Sequence, residues 1–437
     1  GDLFVALPGE NADGHRFVAD ALARGAAGAL VRRDWAHAEA AAIPTAVVVE
    51  HQDLIPSSPV LIAVADPLAT LQVWAAHHRA CFELPVIGIT GSVGKTSTKE
   101  LLAAVLARHL TTLANVKSFN NEIGVPLTLL KLRPEHQAAV LEIGTYGPGE
   151  IAALCKLARP GLGIVTNVGP SHLERMGTVE TVARAKRELV EALPLDGLAL
   201  LNGDDARVRQ MRDATAARVL LFGTGPENDL RAGEIETLGL DGVAFTAYME
   251  GEQRRLHTSL LGRHSVYTAL AAVGVARALG LPWPAIEAGL REGKARVRVV
   301  VRQAANGVTV LDDTYNASPV SCQAALDLLA EMSGRRIAVF GDMAELGPEE
   351  VPGHRAVGRA AAGVVDMLVV VGAKARWIGE AALEAERPPE VLFAASNAEA
   401  VERLRERLLP GDYMLVKGAR VATTEKIVAA LEDEKGR

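Results

Sequence analysis

The tract Gly88-Ile-Thr-Gly-Ser-Val-Gly-Lys-Thr-Ser-Thr-Lys-Glu100 constrains this chain more than any other, because it sets a glycine turn, a lysine and several hydroxyls between a strand and a helix. The apolar run Val86–Ile89 reads as a short buried strand, and Lys95–Leu110 as a helix with Leu101, Leu102, Val105 and Leu106 on one face. A strand that feeds a helix through glycines leaves backbone N–H groups and the positive end of the helix free for a phosphate. Gly91, Ser92, Val93, Gly94, Lys95, Thr96 and Ser97 are therefore expected to cradle a nucleoside triphosphate, with Lys95 at the terminal phosphates and Thr96 on Mg2+. The widespread spacing G-x-x-x-x-G-K-[ST] fails, since Ile89 stands five positions before Gly94. The loop is a compact G-x-x-G-K-T counted from Gly91, and a plain βα turn is the bland alternative.

With 437 residues, 49% of them hydrophobic, the chain exceeds one compact core, so two or three domains are expected. A net charge of −7 argues against a nucleic-acid protein, which should carry a basic stripe, so local cations must hold any anionic nucleotide. Cys81, Cys155 and Cys322 lie far apart without a C-x-x-C pair, which points to neither a disulfide framework nor a zinc site and fits a reducing cytoplasm. The longest apolar candidate for a membrane span, Ala360–Ala373, is broken by Asp366, so no integral membrane contact is expected. The chain opens on Gly1 with a strand already under way, from which a missing N-terminal piece is expected.

Residues 1 to about 82 read as a small α/β unit: strand Leu3–Leu7, a loop from Pro8 to His15, an Ala-rich helix, then strands Gly28–Val31 and Thr45–Val49. From Leu84 to about Gly293 strand and helix alternate, with strands at Ala138–Ile143, Gly163–Asn167, Ala199–Asn202 and Arg218–Phe222, the pattern of a largely parallel sheet. Between Asp229 and Gly262 shorter alternating runs such as Gly242–Tyr248 predict antiparallel hairpins at its edge, and Ser265–Leu279 an Ala-rich helix. From about Ala295 a second doubly wound unit carries strands Val308–Leu311, Ile337–Phe340, Met367–Val371 and Tyr413–Val416.

Several side chains outside the loop have chemistry to offer. Glu142, near the end of an apolar strand, is placed to hold Mg2+ or else to meet water at a sheet edge. His172 sits in a loop, where a histidine is either solvated or functional. Lys186 shares a helix stripe with Val182, Leu189 and Leu193, so it either snorkels to water or keeps a buried amine of lowered pKa that can be modified. Three strand ends of the last unit, Asp312-Asp-Thr-Tyr-Asn-Ala-Ser-Pro319, Gly341-Asp-Met-Ala-Glu-Leu-Gly347 and Lys417-Gly-Ala-Arg420, bring acids and bases to one rim. One such end is an ordinary capped turn; three make a substrate cleft.

Together, the loop Thr90–Thr96, the segment Phe119-Asn-Asn-Glu-Ile-Gly-Val-Pro-Leu-Thr128, Glu142-Ile-Gly, Lys186 in Ala-Arg-Ala-Lys and Gly262-Arg-His264 resemble the Mur ligases over nearly the whole chain. The rim motifs at 312–319 and 341–347 are similar to the family member that uses D-alanyl-D-alanine, and Gly1–Leu7 with Asp13-Gly-His15 look like its UDP-sugar domain. The resemblance implies three α/β domains: 1–82 for UDP-MurNAc, 83–294 a central P-loop ATPase with a mostly parallel sheet, and 295–437 Rossmann-like. It implies a monomeric cytoplasmic enzyme that adds D-alanyl-D-alanine to UDP-MurNAc-tripeptide through an acyl phosphate, using ATP and two Mg2+ sites, in peptidoglycan precursor synthesis. It further implies that Thr96 and Glu142 serve one Mg2+ and His172 a second, beside a carbamylated Lys186. By the same resemblance, Asp313 meets the ATP ribose, His264 and Tyr315 complete the nucleotide set, and Arg298 reaches the γ-phosphate. Asp13, His15, Asn120, Asn121, Asn316, Asp342, Lys417 and Arg420 form the implied substrate set.

The chain departs from the family pattern in places. It begins after the usual Asp/Ser/Arg uridine motif; Val297 rather than glycine precedes Arg298, which leaves Arg296 as an alternative; Ser265 and Thr268 stand where asparagines are common; and Ala419 replaces a serine. Another amide ligase of the superfamily, such as folylpolyglutamate synthase or a glutamate- or diaminopimelate-adding Mur ligase, stays open as an alternative, as does a nucleotide-gated binding protein without ligase chemistry.

Overall fold

The computed structural model describes residues 1–9, 12–39, 47–49, 59–293, 299–304 and 306–432. Residues 1–83 with 122–134 form one compact unit, and 84–121 with 135–437 a second. In the first, a four-stranded parallel sheet runs in the order Leu3–Val5, Gly28–Arg32, Val60–Val64, Val47–Val49. The strand Val60–Val64 escapes the sequence reading because a short unalternating apolar run suits a buried helix as well as a buried strand. Helix Pro67–Ala80 starts where it does because the Asp66 carboxylate accepts the N–H groups of Leu68 and Ala69, at 2.8 and 3.1 Å, with proline in the first turn. Of the strand expected at Thr45–Val49, Val47–Val49 is present and positions 45–46 lie outside the described residues.

The second unit holds two sheets. The larger has nine strands in the order Glu252–Thr258, Val243–Met249, Leu230–Thr237, Arg218–Gly223, Leu198–Asn202, Leu162–Val165, Val86–Thr90, Ala138–Glu142, Thr112–Ala114. Its first three strands pair antiparallel, as the alternating runs predict, and the rest pair parallel. Every residue of Val86–Thr90 and of Ala138–Glu142 is buried, as central parallel strands require. Helix Lys95–Leu106 buries Leu101, Leu102, Val105 and Leu106 against this sheet and stops a turn earlier than expected. Helix Ser265–Ala278 is buried along nearly its whole length and packs on it.

The smaller sheet has six strands in the order Val300–Gln303, Thr309–Asp313, Tyr413–Lys417, Arg336–Gly341, Met367–Val371, Glu390–Ala394, parallel except for the first pair. Its parallel strands end in the three rim motifs, so the motif residues sit where an open α/β sheet places its ligands.

Candidate active site

Strand Val86–Thr90 turns into helix Lys95–Leu106 through two glycines with positive φ, Gly91 at 148° and Gly94 at 87°. A Cβ on Gly91 would come within 1.9 Å of Thr166 Oγ1, so no other residue fits. The loop is held from the neighbouring strand end. Asn167 accepts Ser92 N–H through its carbonyl and Val93 N–H through Oδ1, at 3.0 and 2.9 Å, and its Nδ2 donates to Val93 O at 2.9 Å. Thr166 Oγ1 donates to the same carbonyl at 2.7 Å. Lys95 Nζ folds back onto the carbonyls of Gly91, at 2.7 Å, and Ser92, at 3.3 Å. These contacts keep its ammonium over the loop.

Glu142 is 1% exposed at the end of its strand. Its Oε1 accepts from Asn120 Nδ2 at 2.7 Å, and its Oε2 has no hydrogen-bond partner among the described residues. A buried carboxylate oxygen left without a donor is costly unless a cation meets it, so Glu142 Oε2 suits Mg2+; Thr96, its expected co-ligand, is the second residue of helix Lys95–Leu106. Asn120, expected on the substrate, therefore acts on Glu142. Asn115, not singled out by the sequence, clamps Glu142 through its backbone N–H, accepted at 2.9 Å, and carbonyl, met at 3.1 Å.

Lys95, His172 and Lys186 lie close enough for their charges to act on one another. Lys186 is 2% exposed, and no anion pairs with it among the described residues. Burial, and then the positive charge of Lys95, push its amine well below the usual lysine range. Of its two open readings, the buried amine is the one present. His172 has a left-handed φ of 54°, and its Nδ1 bonds the carboxylate of Glu345 in the 341–347 rim motif. Burial lowers the His172 pKa despite Glu345, and Lys95 and Lys186 act in the same direction. With Nδ1 committed, Nε2 is left to accept or ligate. Glu345 is a partner the sequence reading missed, because only the fold brings it 173 positions along the chain to His172.

A pocket beside the loop is lined by Val93, Gly94, Ser97, His264, Asp313 and Lys417, with Ser265 and Thr268 on its wall. It joins the phosphate loop to the ribose candidate. Lys417, expected at the acceptor, is fully buried here and donates to Asp313 Oδ2 at 2.5 Å and to Asn316 O at 2.9 Å. Asp313 Oδ1 is buried without a hydrogen-bond partner among the described residues, an acceptor suited to a hydroxyl. Tyr315 does not line this pocket; its hydroxyl donates to Ser118 Oγ at 2.7 Å.

The remaining candidates are spread more widely. Asn316 Oδ1 accepts Ala317 N–H at 2.9 Å, and Asp342 Oδ1 accepts the N–H groups of Lys374 and Ala375 at 3.0 and 2.6 Å, so both stabilise turns. Arg420 is exposed at the same rim. Asn121 lies beside Asn120, at the end of the segment that follows strand Thr112–Ala114. In the first unit both ring nitrogens of His15 are engaged: Nδ1 with Asp13 Oδ1 at 2.6 Å, and Nε2 accepting Arg32 N–H at 3.0 Å. That pair fastens the Gly14–Phe17 turn to strand Gly28–Arg32. Arg296 and Arg298 lie outside the described residues.

Models of the Mur ligase middle domain and of the Mur ligase glutamate ligase domain match residues 89–276 and 296–420. A UDP-N-acetylmuramoyl-tripeptide--D-alanyl-D-alanine ligase of Mycobacterium bovis is 37% identical, with 99% of this chain and 89% of that protein aligned. A MurF crystal structure from Acinetobacter baumannii is similar with a TM-score of 0.86 and 32% identity, covering 99% of this chain and 91% of that one. A MurF ligase from Thermotoga maritima in complex with ADP is similar with a TM-score of 0.81 and 27% identity, covering 99% and 95%.

Proposed function

The chain belongs to the Mur ligase family, and we propose that it joins D-alanyl-D-alanine to UDP-MurNAc-tripeptide in an ATP-dependent amide synthesis, a step in making peptidoglycan precursors. The observation that carries the nucleotide half is the single pocket shared by Gly94 and Ser97 of the loop and by Asp313, whose Oδ1 has no partner among the described residues.

In this reading the loop N–H groups and Lys95 take the phosphates, Asp313 the ribose, and His264 the base side of the pocket. A carboxylate oxygen of the tripeptide attacks the γ-phosphorus, the bond to the bridging oxygen breaks, and ADP leaves. The amine of D-alanyl-D-alanine then attacks the acyl phosphate carbonyl; the C–O bond to phosphate breaks with its electron pair, and the nitrogen sheds a proton. The residues contribute chiefly position and charge: Lys95, and Arg298 as proposed at the γ-phosphate, oppose the charge that spreads over the transferred group. Mg2+, held by Thr96 with Glu142 and at a second site by His172 with a carbamylated Lys186, would neutralise phosphate charge when bound.

On the substrate side, exposed Arg420 is assigned to the acceptor carboxylate, Asn121, Asn316 and Asp342 are kept in the proposed substrate set, and Asp13 and His15 are assigned to the UDP-sugar loop. Domains at 1–82, 83–294 and 295–437 and a monomer are part of the proposal. So is a cytoplasmic setting, supported by three free cysteines. Among the described residues no helix is long and apolar enough to cross a membrane.

The test is a product mass spectrum and phosphate release with ATP, UDP-MurNAc-tripeptide and D-alanyl-D-alanine. The expected product carries the added dipeptide, and phosphate release depends on the dipeptide. Phosphate release that ignores the dipeptide, with no amide formed, overturns the assignment.

A further inference from the structure

Lys99, one helical turn after Lys95, is completely buried in helix Lys95–Leu106. A chain rarely seals an ammonium inside a core, because an apolar side chain of similar length fills the space without the desolvation cost. What this one holds is specific. Its Nζ donates to the carbonyls of Asn115 and Lys117, each at 2.7 Å, and pairs with Glu100 Oε1 at 3.0 Å. Both carbonyls belong to the stretch that follows strand Thr112–Ala114, where Lys117 adopts a left-handed φ of 53°.

The residues of that stretch reach Glu142. Asn115 is 2% exposed and spans it: Oδ1 accepts Glu142 N–H at 2.9 Å, while Nδ2 donates to Glu142 O at 3.1 Å and to Phe119 O at 2.8 Å. Asn120 Nδ2 donates to Glu142 Oε1 at 2.7 Å, and Oε2 is the oxygen without a partner among the described residues. We infer that Lys99 is a positioning residue: its ammonium fixes residues 115–120 so that Asn115 and Asn120 present Glu142 Oε2 to the metal. The inference rests on the reading of Glu142 as a Mg2+ ligand.

The test titrates Mg2+ into the full chain with a non-hydrolysable ATP analogue, following thermal stabilisation, and repeats the nucleotide titration in EDTA. Lys99→Met is expected to raise the Mg2+ concentration at half-effect by about tenfold or more, the usual scale for loss of a group that orients a ligand, with affinity in EDTA changed less than about twofold. Should Lys99→Met fail to fold, Lys99→Gln, whose donor is one bond shorter, is read the same way and shifts in the same direction. An unchanged Mg2+ midpoint, or an equal loss in EDTA, assigns Lys99 to stability alone and overturns the inference. Glu142→Gln separates the two readings. If it shifts the midpoint and the Lys99 variants do not, only the positioning role fails; if it too leaves the midpoint unmoved, the metal reading falls and the inference with it.

Discussion

Lys417 Nζ lies 2.5 Å from Asp313 Oδ2, and among the described residues the other oxygen, Oδ1, is buried without a partner in a residue that lines the pocket beside the phosphate loop. One carboxylate thus serves the fold with one oxygen and is open to a ligand with the other. Asp313→Leu strands the Lys417 ammonium, so it should lower stability by about 3–5 kcal/mol and weaken ATP binding. Adding Lys417→Met should recover most of the stability but not the binding, because the acceptor for the ribose is still missing. Urea unfolding and nucleotide titration on both variants check this; binding that returns with stability removes Asp313 from the nucleotide site.

Asn167 holds the phosphate loop by both ends of its side chain, on the N–H and the carbonyl of Val93. Asn167→Ala deletes two hydrogen bonds to a half-buried turn, worth about 1 kcal/mol each. The expected result is a rise of about tenfold in KM for ATP or more, with little change in KM for D-alanyl-D-alanine. Equal changes in both would place Asn167 in general folding instead.

The loop and most central strands of the two larger sheets were legible because their signals are local: a glycine turn between a strand and a helix, or an apolar run bounded by turns. The strand-end position of Glu142 was legible for the same reason, since it closes such a run. Asn115, Asn167 and Glu345 were not, because Asn115 and Asn167 act through partners brought to them by sheet order and Glu345 through a residue in the loop after a strand of the other sheet, and a lone polar residue in a loop has no period to betray it. Lys417 shows the converse. Its strand-end position was plain in the sequence, yet which side of the cleft it serves depended on its 2.5 Å contact with a strand 104 residues earlier.

Asp204 offers a test of stability against pH. Burial would raise its pKa, but hydrogen bonds from Thr224 N–H and Oγ1, Asn228 Nδ2 and Tyr267 Oη outweigh it and hold it down at about 2. A carboxylate whose folded pKa is depressed contributes stability above its unfolded pKa of about 4, and loses it as pH falls through the folded value. Discounted for its exposed setting, the contribution is about 1 kcal/mol. Asp204→Asn should therefore be less stable than the parent at pH 6, with the gap closing between about pH 4 and pH 2. A gap of constant size over that range would show that charge is not its source.

Lys186 gives the opposite sign. Its folded pKa lies well below the ordinary 10.5, because burial and then Lys95 disfavour the ammonium. The unfolded chain binds the extra proton, so stability rises with pH from the folded pKa up to the unfolded one, and Lys186→Met should flatten that rise without costing stability at neutral pH. The same burial favours the neutral amine, which can add to carbon dioxide: the nitrogen bonds the carbon, a proton departs, and a carbamate carboxylate forms within reach of the charges of Lys95 and His172. Two measurements follow. With 13C-bicarbonate and Mg2+ a protein-bound carbamate signal should appear in the parent and vanish in Lys186→Met, and turnover in that variant should drop by about a hundredfold or more, the scale of losing one fixed charge at the reacting group. A parent that shows no such signal, in solution or as density on Nζ in crystals grown with bicarbonate, but turns over fully, would leave Lys186 as a buried amine with no part in the metal site.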